Sequence, residues 1–410
     1  MIYTLENGLR IVCAPSTSEV VYCGVAIDAG TRDEMDTESG IAHFTEHMTF
    51  KGTTSRTARQ IISRMESVGG DLNAYTGKEE TVYYCTFLRQ HLARAIELLL
   101  DIIFCSQYPQ EEMDKEVEVV IDEIESYNDQ PNELIYDEFE ELIFAGHPLG
   151  RNILGQADAL RQMRSHHIKA YTQRLYRPCN MVLYLHGNVQ PDEVLRLAEK
   201  SLQGLQLPAT PLADAKPRIA PPAPRAFDGE VIRRKHDTHQ SHVMIGTRGF
   251  GGNDPRNLHL YLLNNMLGGP AMSSRLNLSL RERNGLVYTV ESSSTCYSDS
   301  GVWAAYFGCD PHDVKRCCRL VRQELHRLTD APLSQRTLDA ARRQLKGQIG
   351  ISYDNGENVA LGMAKRALHY NNTQSMTELF KRLDALTPQQ LWDTAQQVFA
   401  PERLLTLIYE

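Results

Sequence analysis

The chain has 410 residues, a formal net charge of −9, 42% hydrophobic residues and 23% charged residues. That length exceeds what one hydrophobic core usually supports, so two domains are expected. The acidic balance argues against a nucleic-acid binder, which would show a basic stripe, and no apolar run is long enough to span a bilayer.

The first ten residues, MIYTLENGLR, contain no basic region followed by an apolar run and are not Arg- and Ser-rich, so neither a secretory signal nor a transit peptide is expected there. Nine cysteines are scattered without a C-x-x-C pair. Free thiols in a reducing cytoplasm are the expectation.

Strands are expected at 9–14 and 20–29, then a helix carrying His43-Phe44-Thr45-Glu46-His47. Two histidines four apart on a helix share one face, about 5–6 Å apart at Cβ, a spacing that lets two imidazoles bind one metal ion. Glu46 reaches the same face, where a carboxylate can take a proton from a metal-bound water. The order H-x-x-E-H reverses the commoner H-E-x-x-H and is the inverzincin pattern. A solvated helical face carrying two His and a Glu is the bland alternative.

A helix at 57–68, a Gly69-Gly70 turn and a Tyr/Thr/Val-rich strand pair at 73–88 follow, then helices at 92–104 and 110–128. In the last of these, Val117, Val120, Ile121 and Ile124 fall at helical spacing and should face the core. Glu116 and Glu123 sit beside that stripe, two turns apart on one face. Near-buried carboxylates are costly without a cation nearby, and catalytic zinc needs a third protein ligand with one position left open. A charged solvated helix fits Glu111, Glu112, Glu118 and Glu125 better than it fits Glu123. The half closes with a strand at 180–186.

From 206 to 230 the chain is rich in proline and reads as an extended, semi-rigid linker. Beyond it the order of elements repeats: a strand at 242–246, a helix at 257–267, an Arg-rich stretch at 275–283, a strand pair at 287–309, helices at 312–328 and 334–354, and a strand at 404–409. The expected fold is α+β, with two homologous domains, each an antiparallel (mixed) sheet with helices packed on one face. The expected division is 1–205, a 206–230 linker and 231–410. The metal set occurs once. The second-half helix offers only His259, while His236, His239 and His242 read as solvated or capping residues, His166 and His167 cannot share a helical face, and His186 reads as a core or edge histidine.

The stretch Gly40–Thr53 closely resembles the zinc-site signature of the pitrilysin/insulin-degrading-enzyme group, and most of all its shorter branch, which includes the mitochondrial processing peptidases and their bacterial relatives. The resemblance continues at Gly69–Thr76 with Glu80–Tyr83, and at Val120–Ile124. It implies that His43, His47 and Glu123 bind one Zn2+ per chain, that Glu46 is the catalytic base, and that Glu116 supports a ligand or a wider network. Asn73, Ala74, Tyr75 and Thr76 would bind an extended peptide as an added strand; an internal strand with Asn and Thr facing solvent is the alternative. Arg281 and Tyr288 match the family's Arg/Tyr element, suited to stabilising an oxyanion; in isolation they also read as a surface ion-pair residue and a core tyrosine. The implied activity is a zinc endopeptidase acting on peptides or unfolded segments inside a closed chamber formed by a homodimer, with Arg281 and Tyr288 supplied in trans and no nucleic-acid or membrane partner. A non-catalytic peptide-binding or scaffold subunit of the same family is the alternative.

Overall fold

The computed structural model describes residues 2–205, 207, 218–236 and 238–410. Much of the expected proline-rich linker (206 and 208–217) lies outside the described residues. In chain order the elements are β1 (Ile2–Thr4), β2 (Arg10–Pro15), β3 (Val20–Ile27), α1 (Ile41–Thr49), α2 (Ala58–Glu66), β4 (Asp71–Thr76), β5 (Thr81–Leu88), α3 (Leu92–Phe104), α4 (Gln110–Asn128), α5 (Pro131–Ile143), α6 (Ala157–Gln162), α7 (Ser165–Leu175), β6 (Met181–Gly187) and α8 (Pro191–Leu202). The second half continues with β7 (Val231–Arg234), β8 (Ser241–Gly249), α9 (Arg256–Gly268), β9 (Val287–Cys296), β10 (Gly301–Cys309), α10 (Val314–Asp330), α11 (Gln335–Ser352), α12 (Gly356–Tyr370), α13 (Met376–Asp384), α14 (Pro388–Val398) and β11 (Leu405–Tyr409).

The first sheet runs β1-β2-β6-β3-β5-β4 and the second β7-β11-β8-β10-β9. Each is antiparallel apart from one parallel pair, β2 with β6 and β7 with β11. The second therefore repeats the plan of the first without a counterpart to β1. Central strands such as β3, Val-Val-Tyr-Cys-Gly-Val-Ala-Ile, are apolar on both faces, as a strand covered on both sides must be. Val21, Cys23, Val25 and Ile27 enter the main core with α1 and α3, while Ala26 faces the other way.

The main helix layer covers one face of each sheet, as expected, and each opposite face holds one further helix. On the first sheet this is α12. Asn355 caps its first turn, accepting from the Glu357 N–H at 2.9 Å. Its stripe of Ala360, Ala364 and Ala367 packs with Val12, Val82, Val182 and Tyr184. On the second sheet it is α5, which begins at Pro131 and buries Ile135, Phe139 and Ile143 with Met244, Val302 and Leu407. The two compact units are consequently not the contiguous stretches 1–205 and 231–410. One comprises Met1–Glu125, Arg151–Ile219 and Ile351–Gln374; the other comprises Ser126–Gly150, Ala220–Gly350 and Ser375–Glu410. Each takes one helix from the other half of the sequence, because the apolar stripes of α5 and α12 are buried on sheets distant in sequence.

Candidate metal centre and strand edge

The site is built from three elements of the first unit: α1, α4 and β4. Helix α1 anchors through Ile41, Ala42, Phe44 and Met48, all fully buried. Its entry is tightly specified. Gly40 has φ 84, a conformation strained for other residues, and a Cβ there would lie 2.8 Å from the Leu154 carbonyl oxygen. With no cap side chain at Gly40, buried Glu34 takes that role. Its two oxygens accept from Gly40 N–H at 3.2 Å and Ala42 N–H at 3.0 Å, satisfying donors that a helix start leaves unpaired. Burial pushes the Glu34 carboxyl up to about 8.

Helix α4 buries Met113, Glu116, Val117, Val120 and Ile121, which fixes the helix about its own axis. That rotation turns Glu123 toward α1. Its Oε1 lies 3.9 Å from His43 Nε2 and its Oε2 lies 3.6 Å from His47 Nε2. Both contacts are too long for hydrogen bonds. Ligand bonds of about 2.0–2.2 Å set tetrahedral donor–donor separations of about 3.3–3.6 Å, so the two contacts lie at and just beyond the edge of a zinc-sized tetrahedron. One donor atom from each of His43, His47 and Glu123 can be chosen so that all lie within 4.8 Å of one another. The imidazole rings meet edge to face with centroids 4.7 Å apart. The residues fit a divalent cation with three protein donors, and three is the number that leaves a fourth position for chemistry. The other group of this kind among the described residues, Asp310, His312 and Asp313, sits on an open surface turn.

The two histidines are tuned in opposite directions, and a cation would take the place of the proton that His47 favours. Burial, followed by the nearby His47, holds His43 down to about 4, so it is neutral with a lone pair to offer. Burial works against charge on His47 too, but the hydrogen bond to Glu116 and the surrounding carboxylates outweigh it and raise its pKa. His47 Nδ1 lies 3.0 Å from Glu116 Oε1. With Nδ1–H donating to that carboxylate, Nε2 is the nitrogen free for a metal. Glu116 also pairs with Lys51. Burial would raise the Glu116 carboxyl, yet His47 and Lys51 together hold it below the ordinary range. His43 has no matching support: its Nδ1 is buried without a hydrogen-bond partner among the described residues.

Glu46 is pushed up chiefly by burial, opposed by a hydrogen bond from Thr76. Thr76 Oγ1 donates to Glu46 Oε2 at 2.5 Å. Thr76 ends β4, which pairs with β5 on one side only and forms the edge of its sheet. Of the two readings of the 73–76 segment, the edge strand is the one found. Leu72 and Ala74 pack into the main core, whereas Tyr75 packs on the opposite face and Asn73 is exposed. Asn73 Oδ1 accepts from the Ala74 N–H at 2.8 Å.

Arg281 and Tyr288 lie in the second unit. Arg281 is on a π-helical turn, Asn277–Glu282, and its guanidinium carbon sits 5.5 Å from the Tyr288 ring centroid. Tyr288 is on β9 and 81% exposed, so it is not a core residue of that strand. Three of the other histidines have structural partners. His259 is buried against Thr394 at 2.9 Å, His242 meets the Tyr306 hydroxyl at 2.8 Å, and His186 Nδ1 lies 2.9 Å from the Ala14 carbonyl oxygen.

Three contributors carried no assignment from sequence: Lys51, Glu34, and the Thr76 hydroxyl as a partner of Glu46. Lys51 had a readable signal, since it follows His47 by four and is therefore placed to meet the carboxylate that supports that histidine. Thr76 reaches α1 through tertiary packing and had none. Glu34 is local to the start of α1, six and eight residues before the N–H groups it accepts from, but stands at no cap position.

Comparison with known proteins places the chain in a family. Residues 10–157 match the family described as Insulinase (Peptidase family M16), and residues 164–345 match the Peptidase M16 inactive domain. The chain is similar to an uncharacterized zinc protease of Bacillus subtilis, 31% identical over 99% of this chain and 97% of that one. It is likewise similar to an uncharacterized zinc protease of Streptomyces coelicolor, 32% identical over 99% of this chain and 88% of that one. Among solved structures, a protease from Helicobacter pylori superposes with a TM-score of 0.92 at 23% identity, covering 100% of this chain and 99% of that one. A peptidase M16 inactive domain from Pseudomonas fluorescens gives 0.90 at 18% identity, covering 100% and 97%. These two likenesses concern the fold. With near-complete alignment to the Bacillus relative and the family matches in both halves, the chain belongs to the pitrilysin-type peptidase M16 (insulinase) family.

Proposed function

We propose that this protein is a zinc-dependent endopeptidase in which His43, His47 and Glu123 hold one Zn2+ per chain and Glu46 is the general base. The observation that carries the reading is the pair of contacts from Glu123, 3.9 Å to one imidazole and 3.6 Å to the other, spaced for a shared cation rather than for hydrogen bonds. Zinc held by these residues would supply Lewis acidity toward the scissile carbonyl and would make water acidic enough to attack near neutral pH.

The chain's own residues do the rest. Glu46 accepts a proton as water attacks and returns it to the departing amine. Thr76 holds one Glu46 oxygen, leaving the other to face the reaction. The open edge of β4 accepts an extended substrate as an added strand, so backbone hydrogen bonds give affinity with little dependence on sequence. An extended segment is required, which favours peptides and unfolded stretches over folded proteins.

In this reading Arg281 and Tyr288 donate to the developing oxyanion. Exposure of Tyr288 and its stacking with Arg281 supply a preassembled donor pair with no packing role of its own. We assign that pair to the site of a partner chain, in a symmetric homodimer whose two chains enclose the substrate in a chamber. Nine free cysteines support a reducing, cytoplasmic setting, and no described helix is long and apolar enough to cross a membrane.

The test is cleavage of an unstructured, quenched fluorescent peptide by the wild-type chain and by Glu46→Gln, with metal content measured for both. The expected outcome is equal metal and at least about a hundredfold slower cleavage by the variant, the lower end of what a positioned base contributes. Undiminished cleavage by a metal-loaded Glu46→Gln chain would show that Glu46 is not the base.

A further inference from the structure

The two sheets follow one plan, and one position in that plan is filled differently. In the first unit α8 packs on α3 and joins Ile11, Leu183 and Leu185, residues of the parallel pair β2–β6, in one apolar cluster. Its buried positions are Val194, Ala198 and Leu202, at i, i+4 and i+8. Acidic Glu193 at its start pairs with Arg89.

In the second unit the parallel pair is β7–β11, with Val231 opposite Thr406 and Arg233 opposite Ile408. Helix α10 takes the place of α3, each helix entered through a 3-10 turn after the second strand of a hairpin. Among the described residues no helix occupies the place of α8. A groove of about 710 Å3 lies there, wholly within the second unit. Its lining includes the apolar side chains of Val231, Val314, Cys318 and Ile408. Val231 is 47% exposed on the edge strand, an unusual place for a bare β-branched side chain.

The rest of the lining is polar and largely cationic: Arg233, Lys315, Arg319, Arg322 and Arg327 beside Gln323, His326 and Thr406, with no carboxylate among these residues. Arg233 pairs with Glu410, Arg327 with Glu324, and Arg322 donates to Thr406. Lys315, Arg319 and His326 have neither a side-chain hydrogen bond nor an ion pair among the described residues. Lys315 and Arg319 are four apart on one helix, and like charges at that spacing disfavour the helix that carries them. A second hollow of about 460 Å3 shares Arg322 and His326 but is also lined by Asp228 and Glu402, so the carboxylate-free surface is confined to the first groove.

An apolar floor lined by cations is complementary to one kind of partner. We propose that this groove docks an acidic amphipathic helix of a second polypeptide, in the place that α8 holds in the first unit. The docked helix sets apolar residues at i, i+4 and i+8 on the floor and carboxylates against Lys315, Arg319 and Arg322. The assignment is independent of the peptidase reading.

The probe is a fluorescein-labelled peptide of residues 190–203 of this chain with Arg196→Glu and Lys200→Glu, which keeps the α8 apolar stripe and reverses its two basic positions. Its binding to the full chain is followed by anisotropy. Because a free helix of this length is marginal in water, ordering on binding limits the expected Kd to on the order of 10 μM. The account predicts saturable binding, at least about tenfold weaker to an Arg319→Glu/Arg322→Glu chain of unchanged melting temperature, and weakened by salt. If that variant fails to fold, a peptide with its apolar stripe scrambled serves instead and is expected to bind at least about tenfold more weakly. No saturation at about 500 μM, equal affinity for the charge-reversed chain, or equal affinity of the scrambled peptide would overturn the proposal. Saturation of the groove by decanoate with no peptide binding would overturn it too, in favour of a small-anion site.

Discussion

The Thr76 hydroxyl at the end of β4 donates to Glu46 Oε2 at 2.5 Å, so the strand edge offered to a substrate and the carboxylate proposed as base are joined by one short hydrogen bond. Seating a peptide on β4 and aiming the base are thereby coupled. Thr76→Val keeps the β-branched shape and removes the donor. We expect kcat to fall by about tenfold to a hundredfold, part of what a fully positioned base contributes, with metal content unchanged. Steady-state kinetics beside metal analysis would check this; loss of metal would mean that Thr76 supports the ligands instead.

Glu116 links His47 Nδ1 to Lys51, and this buried relay orients the imidazole. Glu116→Gln retains shape but weakens the acceptor, and zinc affinity should drop by about 10- to 100-fold, the usual cost of losing such a supporting partner. Lys51→Met should act in the same direction and more weakly, because His47 still has its carboxylate. Competition with a chelating dye measures both. Unchanged affinity in Glu116→Gln would remove Glu116 from the metal site.

Helix α12 is clasped to the first sheet by His369, whose Nε2 lies 3.2 Å from Glu80 and whose Nδ1 lies 3.4 Å from Asp28. Burial opposes charge on His369, but the two carboxylates outweigh it and raise its pKa from 6.5 to about 9. Burial likewise opposes charge on Glu80, yet His369 and Lys365 lower it from 4.5 to about 2. The histidine's contribution is therefore complete below 6.5 and is lost as pH rises through 9. The Glu80 contribution is complete above 4.5 and is lost as pH falls through 2. Stability from this clasp should plateau between 4.5 and 6.5 and decline on both sides, with the basic limb worth at most on the order of 3 kcal/mol. Urea unfolding from below pH 4.5 to pH 10 should show the onset of the acidic limb and the whole basic limb, and His369→Gln should lack the basic one. A wild-type profile that is flat up to pH 10 would refute the clasp.

If Arg281 and Tyr288 serve a partner's site, inactive chains should complement each other. Glu46→Gln and Tyr288→Phe chains, each impaired alone, should regain activity when mixed and allowed to exchange subunits. With random exchange half of the dimers are mixed, and each mixed dimer holds one intact composite site, so about a quarter of wild-type activity is expected. A mixture no more active than the mean of its components would exclude sharing between chains.

The sequence was most informative where local pattern and chemistry coincide. The α4 boundaries at 110–128 follow from helical spacing. The burial argument suits Glu116 but not Glu123, whose side chain is 46% exposed, so the set His43, His47 and Glu123 rests on the family resemblance and not on any cost of burying that carboxylate. The segments it did not resolve fail for physical reasons. Helices α5 and α12 follow turn-like stretches, Asn-Asp-Gln-Pro and Asp-Asn-Gly. The buried stripe of α12 is mostly alanine, which carries little periodic signal in a hydrophobicity pattern. Their docking on sheets from the other half of the chain is a long-range outcome that no local window contains. Strands β1 and β7 have three and four residues and lie at sheet edges, where a partner strand rather than composition decides whether they form. Thr76 acts on α1 from a distant strand, so its role appears only with the packing, whereas Glu34 lies only six and eight residues before the N–H groups it accepts from but outside any cap position that a local pattern marks.

The central claim is that His43, His47 and Glu123 grip a single divalent cation. Titrating Zn2+ calorimetrically into chelator-treated wild-type, His43→Ala and Glu123→Gln chains tests it most directly. The account predicts one tight site per wild-type chain and at least about a hundredfold weaker binding in each variant, since each removes one of three protein donors. Wild-type affinity and stoichiometry retained in Glu123→Gln would contradict it.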